Sequence, residues 1–230
     1  MFKRPALSAS AVDLTAASPH LQQLHGLNLD FLQVLQAIQQ APQRSSYHGL
    51  CIHESMGKLL LACNQADLQR MATCDVSLFS LQWHRVDEWT RLAEHSSAHR
   101  TQAPNHQTSE VSPEGTGQWV VNFMQCAVFF CWHLAQHDEQ AARFMLGMSP
   151  ETASVIRTLD LWQCRFIGQR YQKLLSPRWL HNRYFWPDLL QYGHSGNPEH
   201  LKLVQLLATQ LIAQDLEPSA IARHSIAESD

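Results

Sequence analysis

The sequence lacks the features that mark membrane proteins, disulfide-bonded secreted proteins and strongly charged proteins. No apolar run among its 230 residues is long enough to span a bilayer, and the N-terminus has no sustained apolar core typical of a secretory signal. The six cysteines are scattered through apolar segments without a CxxC pair, which is typical of reduced, buried thiols. We therefore expect a cytoplasmic protein with neither disulfide bonds nor a cysteine-rich zinc site.

Sequence signatures of enzymes are also missing. The chain contains no GxSxG motif, no Walker-type phosphate loop and no dinucleotide-binding fingerprint. His133 and His137 have the i, i+4 spacing of zinc ligands, but the segment HLAQH lacks the internal glutamate of metalloproteases. Because the chain has fourteen histidines, this spacing readily arises by chance. We expect a protein that is not an enzyme and that holds no metal or other cofactor.

The distribution of charge is more informative than its sum. The formal net charge of −3 argues against a uniformly basic nucleic-acid-binding protein. The stretch from residue 157 to residue 183 nevertheless carries a single acid, Asp160, and six basic residues: Arg157, Arg165, Arg170, Lys173, Arg178 and Arg183. Such a segment indicates contacts with DNA phosphates, pairing with the acids of a partner protein, or a merely solvated helical face.

The segment from Ala142 to Trp162 predicts a helical corner on which this basic run begins. Gly147 suits the left-handed conformation that ends a helix. Ser149 suits an N-cap and Pro150 the first position of the next helix. An apolar stripe at helical spacing follows, and a short step leads into a further helix. This layout is that of a helix-turn-helix, although most such corners only pack a core.

Helical patterns dominate the rest of the chain. Residues 77–84 alternate between apolar and polar types and are the best strand candidate. Residues 96–117 are rich in Ser, Thr, Pro, Gly and His, which predicts a linker. We expect a mostly α-helical protein with these parts: a disordered leader at 1–18, a helical lobe at 19–95, the linker at 96–117, a second helical lobe at 118–194, a C-terminal helix at 195–216 and a mobile tail at 217–230.

The two expected lobes run through the same order of elements. The matched positions are Leu59-Leu60 with Val155-Ile156, Trp89 with Trp186, and Leu92 with Leu189, at offsets of 96, 97 and 97 residues. Identity is low, so the evidence lies in shared order and register. The pattern predicts an ancient duplication that gives two similar lobes. Each would contain a short strand or extended segment, and the second would carry the helix-turn-helix-like corner.

Two apolar groups in the second half are candidates for core or interface. The segment from Val120 to Leu134 is so apolar that several faces of its helix must be buried, in the core and against another subunit. The expected subunit-interface residues are Phe123, Val128, Phe129, Phe130 and Trp132. A later aromatic group could stack on bases, but core or subunit packing is the favoured interpretation. It comprises Trp179, Tyr184, Phe185, Trp186 and Tyr192.

Residues 135–167 resemble the central region of FlhD, the smaller subunit of the flagellar master transcriptional activator. The shared pattern is a helix ending in Ala-Ala-Arg-Phe and Leu-Gly, then Met-Ser-Pro-Glu and an apolar helix. A Leu-Asp-Leu step at residues 159–161 leads into the next helix. Residues 27–38 resemble the opening helix of the same family. The resemblance covers residues 119–186 well and 27–95 weakly, and the whole chain is more like the larger FlhD-like proteins of integrative and conjugative elements than like FlhD itself.

The resemblance implies a DNA-binding transcriptional activator subunit that acts in a hetero-oligomer and controls transfer genes of a mobile element. The implied partners are double-stranded DNA, an FlhC-like zinc-binding subunit and RNA polymerase. Two lobes in one chain could replace a dimer of single-lobe subunits, which leaves the stoichiometry open. The alternative is a protein-interaction adaptor that binds no nucleic acid, its basic segment docking on an acidic partner.

Overall fold

The computed structural model describes residues 19–41, 47, 49–101 and 116–216, and in them the protein is mostly α-helical, as predicted. The elements are α1 Pro19–Gln40, α2 Glu54–Ala62, α3 Gln65–Ala72, β1 Phe79–Ser80, α4 Val86–Thr101, α5 Thr116–His137, α6 Glu139–Leu146, α7 Pro150–Thr158, α8 Leu161–Arg170, β2 Ser176–Pro177, α9 Phe185–Ser195 and α10 Pro198–Leu216. None of the described helices has the length and apolar character needed to cross a membrane.

The predicted corner forms through local capping interactions. Gly147 ends α6 in the left-handed conformation, with φ of 66°. The Ser149 side chain accepts a hydrogen bond from the backbone N–H of Thr152 at the start of α7. Asp160 and Gln163 then form a reciprocal capping box that starts α8, and only two residues separate it from the end of α7. The sequence therefore predicted both helix starts of this corner correctly.

The extended segments are shorter than the sequence predicted. Within the candidate strand at 77–84, only Phe79 and Ser80 form β1, which pairs antiparallel with β2. Gln82 has a φ of 55°, a left-handed conformation that turns the chain out of the extended state. The alternation of apolar residues was thus real, but a turn ends the strand after two residues.

The predicted linker is also shorter than expected, because its first and last residues belong to helices. Helix α4 continues through residues 96–101, and α5 already begins at Thr116. The remaining residues of the predicted linker, 102–115, lie outside the described residues, as do the predicted leader at 1–18 and the predicted tail at 217–230.

The two halves do not form separate cores. Helix α1 packs on α5, α4 packs on α7 and α8, and α9 packs on α2 and α3. The two-stranded sheet joins the halves, and the buried apolar side chains form one continuous cluster. Polar contacts cross between the halves as well: Thr152 Oγ1 donates to the carbonyl of Trp83 at 2.6 Å, and Arg70 Nη2 donates to the carbonyl of Gly193 at 2.9 Å. The predicted lobes therefore interlock.

Matched structural details recur in the two halves at offsets of 96 or 97 residues. By position and order α1 corresponds to α5, α2 to α7, α3 to α8, β1 to β2 and α4 to α9. The indole N–H of Trp89 donates to the carbonyl of Leu81 at 3.2 Å, and that of Trp186 donates to the carbonyl of Arg178 at 2.6 Å. Gln82 and its counterpart Trp179 both have a positive φ. An internal duplication predicts this pattern.

Candidate nucleic-acid interface

Helix α8 is the third helix of the corner, after α6 and α7, and its inner side fits closely against α5. Cys164 and Ile167 are fully buried there. A side chain at Gly168 would place its Cβ 2.8 Å from the Cα of Gln125, so only glycine allows the two helices to approach this closely. This packing fixes which side of α8 faces solvent.

The solvent-facing side of α8, which we call the α8 face, combines aromatic, apolar and basic side chains. It consists of Leu161, Trp162, Arg165, Phe166, Gln169 and Arg170. Trp162 stacks on Phe166 with 5.1 Å between ring centroids, and the Arg170 guanidinium carbon lies 5.3 Å from the Phe166 centroid. Leu161 is 61% exposed and Trp162 38% exposed, so the face offers apolar surface beside two cations.

Five of the six basic residues predicted to contact phosphates are exposed. Arg165 and Arg170 lie on the α8 face, Lys173 follows in a short 3-10 turn, and Arg183 precedes α9. Arg157, at the end of α7, is exposed and lies 3.5 Å from the carboxylate of Glu139. The structure therefore brings together Arg165 and Arg170 on one face, while the other exposed residues lie on neighbouring segments.

Arg178 is the exception, and its predicted role as a phosphate contact is wrong. Its side chain is 5% exposed; Nη1 donates to the carbonyl of Leu146 at 2.8 Å and Nη2 to the carboxylate of Asp215 at 2.7 Å. Burial lowers the pKa of Arg178, and the charge of Asp215 opposes that shift. The internal repeat indicated that Arg178 would be buried, because the equivalent residue 97 positions earlier is the apolar Leu81, which is itself buried.

The predicted subunit-interface residues on α5 are mainly core residues of this chain. Phe123, Val128 and Phe130 are at most 8% exposed, so they are not available to a second subunit. Phe129 and Trp132 are partly buried against the same core. The Trp132 indole N–H donates to the Leu159 carbonyl at 2.7 Å, which ties α5 to the end of α7. The structure therefore confirms that this helix packs in the core. It also excludes Phe123, Val128 and Phe130 from an interface with another subunit.

The later aromatic group also serves the core. Phe185 and Trp186 are fully buried, and Trp179 packs edge-on against Phe185 with 4.9 Å between ring centroids. Tyr184 is 56% exposed and lies under the Arg183 guanidinium. These contacts favour the predicted core interpretation over a stacking platform for bases.

One polar cluster was missed by sequence reasoning. Cys63 at the end of α2, Asp67 in the first turn of α3 and His194 in the last turn of α9 have ligand atoms that all lie within 4.8 Å of one another. Elsewhere in the described ranges no other group of three such side chains converges this closely. Asp67 and His194 are 127 residues apart, so no local motif could reveal the cluster.

Comparison with known families gives one informative match. Residues 15–112 match the family model of the flagellar transcriptional activator FlhD. No curated protein and no solved structure matches the chain. The match covers the first half, where the resemblance seen in the sequence was weaker, and it ends before α5. A family of transcriptional activators is not a class of enzymes.

Proposed function

Because its first half is FlhD-like, we propose that this chain is a DNA-binding subunit of a transcriptional activator. In this proposal it acts in a hetero-oligomer with an FlhC-like zinc-binding partner and controls transfer genes of a mobile element. The observation that carries the DNA-binding part is the joint exposure of Arg165 and Arg170 on α8, the helix that directly follows the helix-turn-helix-like pair α6 and α7.

The electrostatics of α8 indicate how DNA would be contacted. Arginine side chains donate forked hydrogen bonds to phosphate, and each phosphate they neutralise releases a counterion. The carboxylate of Asp160 caps the N-terminus of α8, so this helix end repels phosphate. DNA contacts would therefore come from the side of α8, through Arg165 and Arg170, with Lys173 and Arg183 adding charge nearby.

Removing both arginines of the α8 face is expected to weaken DNA binding and its dependence on salt. For the double variant Arg165→Ala/Arg170→Ala with the partner present, the slope of log affinity against log salt should fall by about 2. Fluorescence anisotropy with a labelled promoter fragment measures both quantities. The matched control is Lys58→Ala/Lys202→Ala, which removes the same charge from exposed positions on α2 and α10. An unchanged slope in the α8 variant would place the DNA surface elsewhere.

A protein-interaction adaptor that binds no nucleic acid is the second candidate. It is favoured by the exposure of Leu161 and Trp162 on the same face as the arginines, since tryptophan and arginine are typical of interface hot spots. The candidate partners are an FlhC-like subunit and RNA polymerase. If the adaptor proposal is right, Trp162→Ala weakens capture of the partner, and the complex shifts no DNA even at low salt.

A further inference from the structure

We propose that Cys63, Asp67 and His194 form a binding site for a divalent transition metal of the zinc class. The three side chains supply the sulfur, oxygen and nitrogen donors that zinc accepts in proteins. They come from α2, α3 and α9, so a bound metal would link the two halves of the chain. This inference is independent of the proposed function, because it rests only on the geometry of the cluster.

The distances fit a metal after a small closure. With metal–ligand bonds of about 2.0–2.3 Å, the donors of a tetrahedral site lie about 3.5 Å apart. The three ligand atoms already lie within 4.8 Å of one another, and Asp67 Oδ2 is 3.1 Å from His194 Nδ1. Cys63 and Asp67 are buried, whereas the side chain of His194 is 46% exposed. His194 can therefore adjust, and solvent can supply a water as fourth ligand.

The carboxylate of Asp67 is held in place by neighbours of the kind that orient metal ligands. Arg70 Nη2 donates to Oδ1 at 2.6 Å, and the backbone N–H of Asn64 donates to Oδ2 at 3.0 Å. Burial tends to raise the pKa of Asp67, but the hydrogen bonds from Asn64, His194 and Arg70 hold it below its usual value. The Arg70 contact at Oδ1 leaves Oδ2 directed toward His194.

The repeat shows that the fold itself does not require these donor types. The positions equivalent to Cys63, Asp67 and His194 in the other half are Leu159, Gln163 and Ser97. Gln163 Nε2 donates to Ser97 Oγ at 2.8 Å, so α8 is joined to α4 by a neutral hydrogen bond. A polar contact between the equivalent helices is therefore common to both halves. Only the contact made by Cys63, Asp67 and His194 is built from side chains that bind metals.

Metal binding must displace the proton of Cys63. Burial, together with the charge of Asp67, raises the pKa of this thiol to about 11, against a smaller opposing effect of Arg70. The metal would replace the thiol proton with a metal–sulfur bond and release the proton to solvent, with no change in oxidation state.

Titration of the full-length, chelator-treated protein with Co²⁺ tests the site. We expect one equivalent of Co²⁺ to produce a thiolate-to-cobalt charge-transfer absorption and the visible bands of a tetrahedral site, both removed by added Zn²⁺. Absence of the charge-transfer band in the wild-type protein would overturn the proposal and leave the cluster as a hydrogen-bonded link.

The other half of the chain provides matched variants. Cys63→Leu, His194→Ser and the triple variant Cys63→Leu/Asp67→Gln/His194→Ser install the residues found at the equivalent positions, so the helical circular dichroism should be retained. Each should abolish the charge-transfer band or weaken Zn²⁺ binding more than 100-fold, beyond the loss typical when a residue that only orients a ligand is replaced. The control Cys126→Ser, at an exposed cysteine on α5, should bind as the wild type does. A band that persists in Cys63→Leu, or that disappears in Cys126→Ser, would also overturn the assignment.

Discussion

Replacing Arg178 with methionine is expected to lower the free energy of unfolding by about 1–3 kcal/mol, because it removes a buried guanidinium that satisfies a backbone carbonyl and pairs with a half-exposed carboxylate. The guanidinium satisfies the carbonyl at the end of α6 and binds Asp215 on α10. Methionine fills a similar volume but cannot donate a hydrogen bond, so the carbonyl of Leu146 would be left without that donor.

The measurement is a urea unfolding curve followed by circular dichroism, with Arg183→Met as the control. Arg183 is exposed, and its substitution should change the stability by no more than about 0.5 kcal/mol. If both variants unfold at the wild-type midpoint, Arg178 is not the buried link described here. If both are equally destabilised, the apolar substitution rather than the lost hydrogen bonds is responsible.

The contrast between these arginines shows where sequence reasoning succeeds and where it fails. A run of basic residues is visible in the sequence, but whether each one reaches solvent depends on distant contacts. Arg178 meets Leu146 and Asp215, which are 32 and 37 residues away. Only the repeat register, which aligns Arg178 with the buried Leu81, carried that information.

Features fixed by short-range interactions were predictable. Gly147, Ser149 and Pro150 end one helix and start the next through contacts within four residues, so composition and spacing suffice. The cluster of Cys63, Asp67 and His194 is different, because the packing of α9 on α2 and α3 creates it. The i, i+4 histidines that the sequence offered as metal ligands lie on one helix, whereas the closest set of donors spans three.

The repeat also accounts for the position of the family match. Residues 15–112 match FlhD, whereas the resemblance noted in the sequence was strongest in residues 119–186. Helices α2 and α3 of the first half correspond in order and offset to α7 and α8 of the second. The match and the resemblance thus concern elements that occupy equivalent positions in the order of the two halves.

Because the halves interlock, Trp89→Ala and Trp186→Ala should each destabilise the whole chain by about 3–5 kcal/mol. Both indoles are buried, and each donates to a carbonyl eight residues earlier. Each substitution leaves a cavity in the one core that both halves share, under a helix that packs on the opposite half.

Hydrogen exchange under native conditions distinguishes this interlocked structure from two independent lobes. If the core is shared, Trp186→Ala lowers the protection of the most slowly exchanging amides of α1 and α3 as much as those of α5 and α8. If the halves were independent, the variant would lose protection in only one of these two pairs of helices, and unfolding would split into two transitions. The control Trp119→Ala, at a 53% exposed tryptophan on α5, should leave a single transition near the wild-type midpoint. Equal loss of protection in both pairs of helices would mean that the α8 face and the Cys63 cluster belong to one cooperative unit. A partner or metal bound at either site would then stabilise the whole described chain.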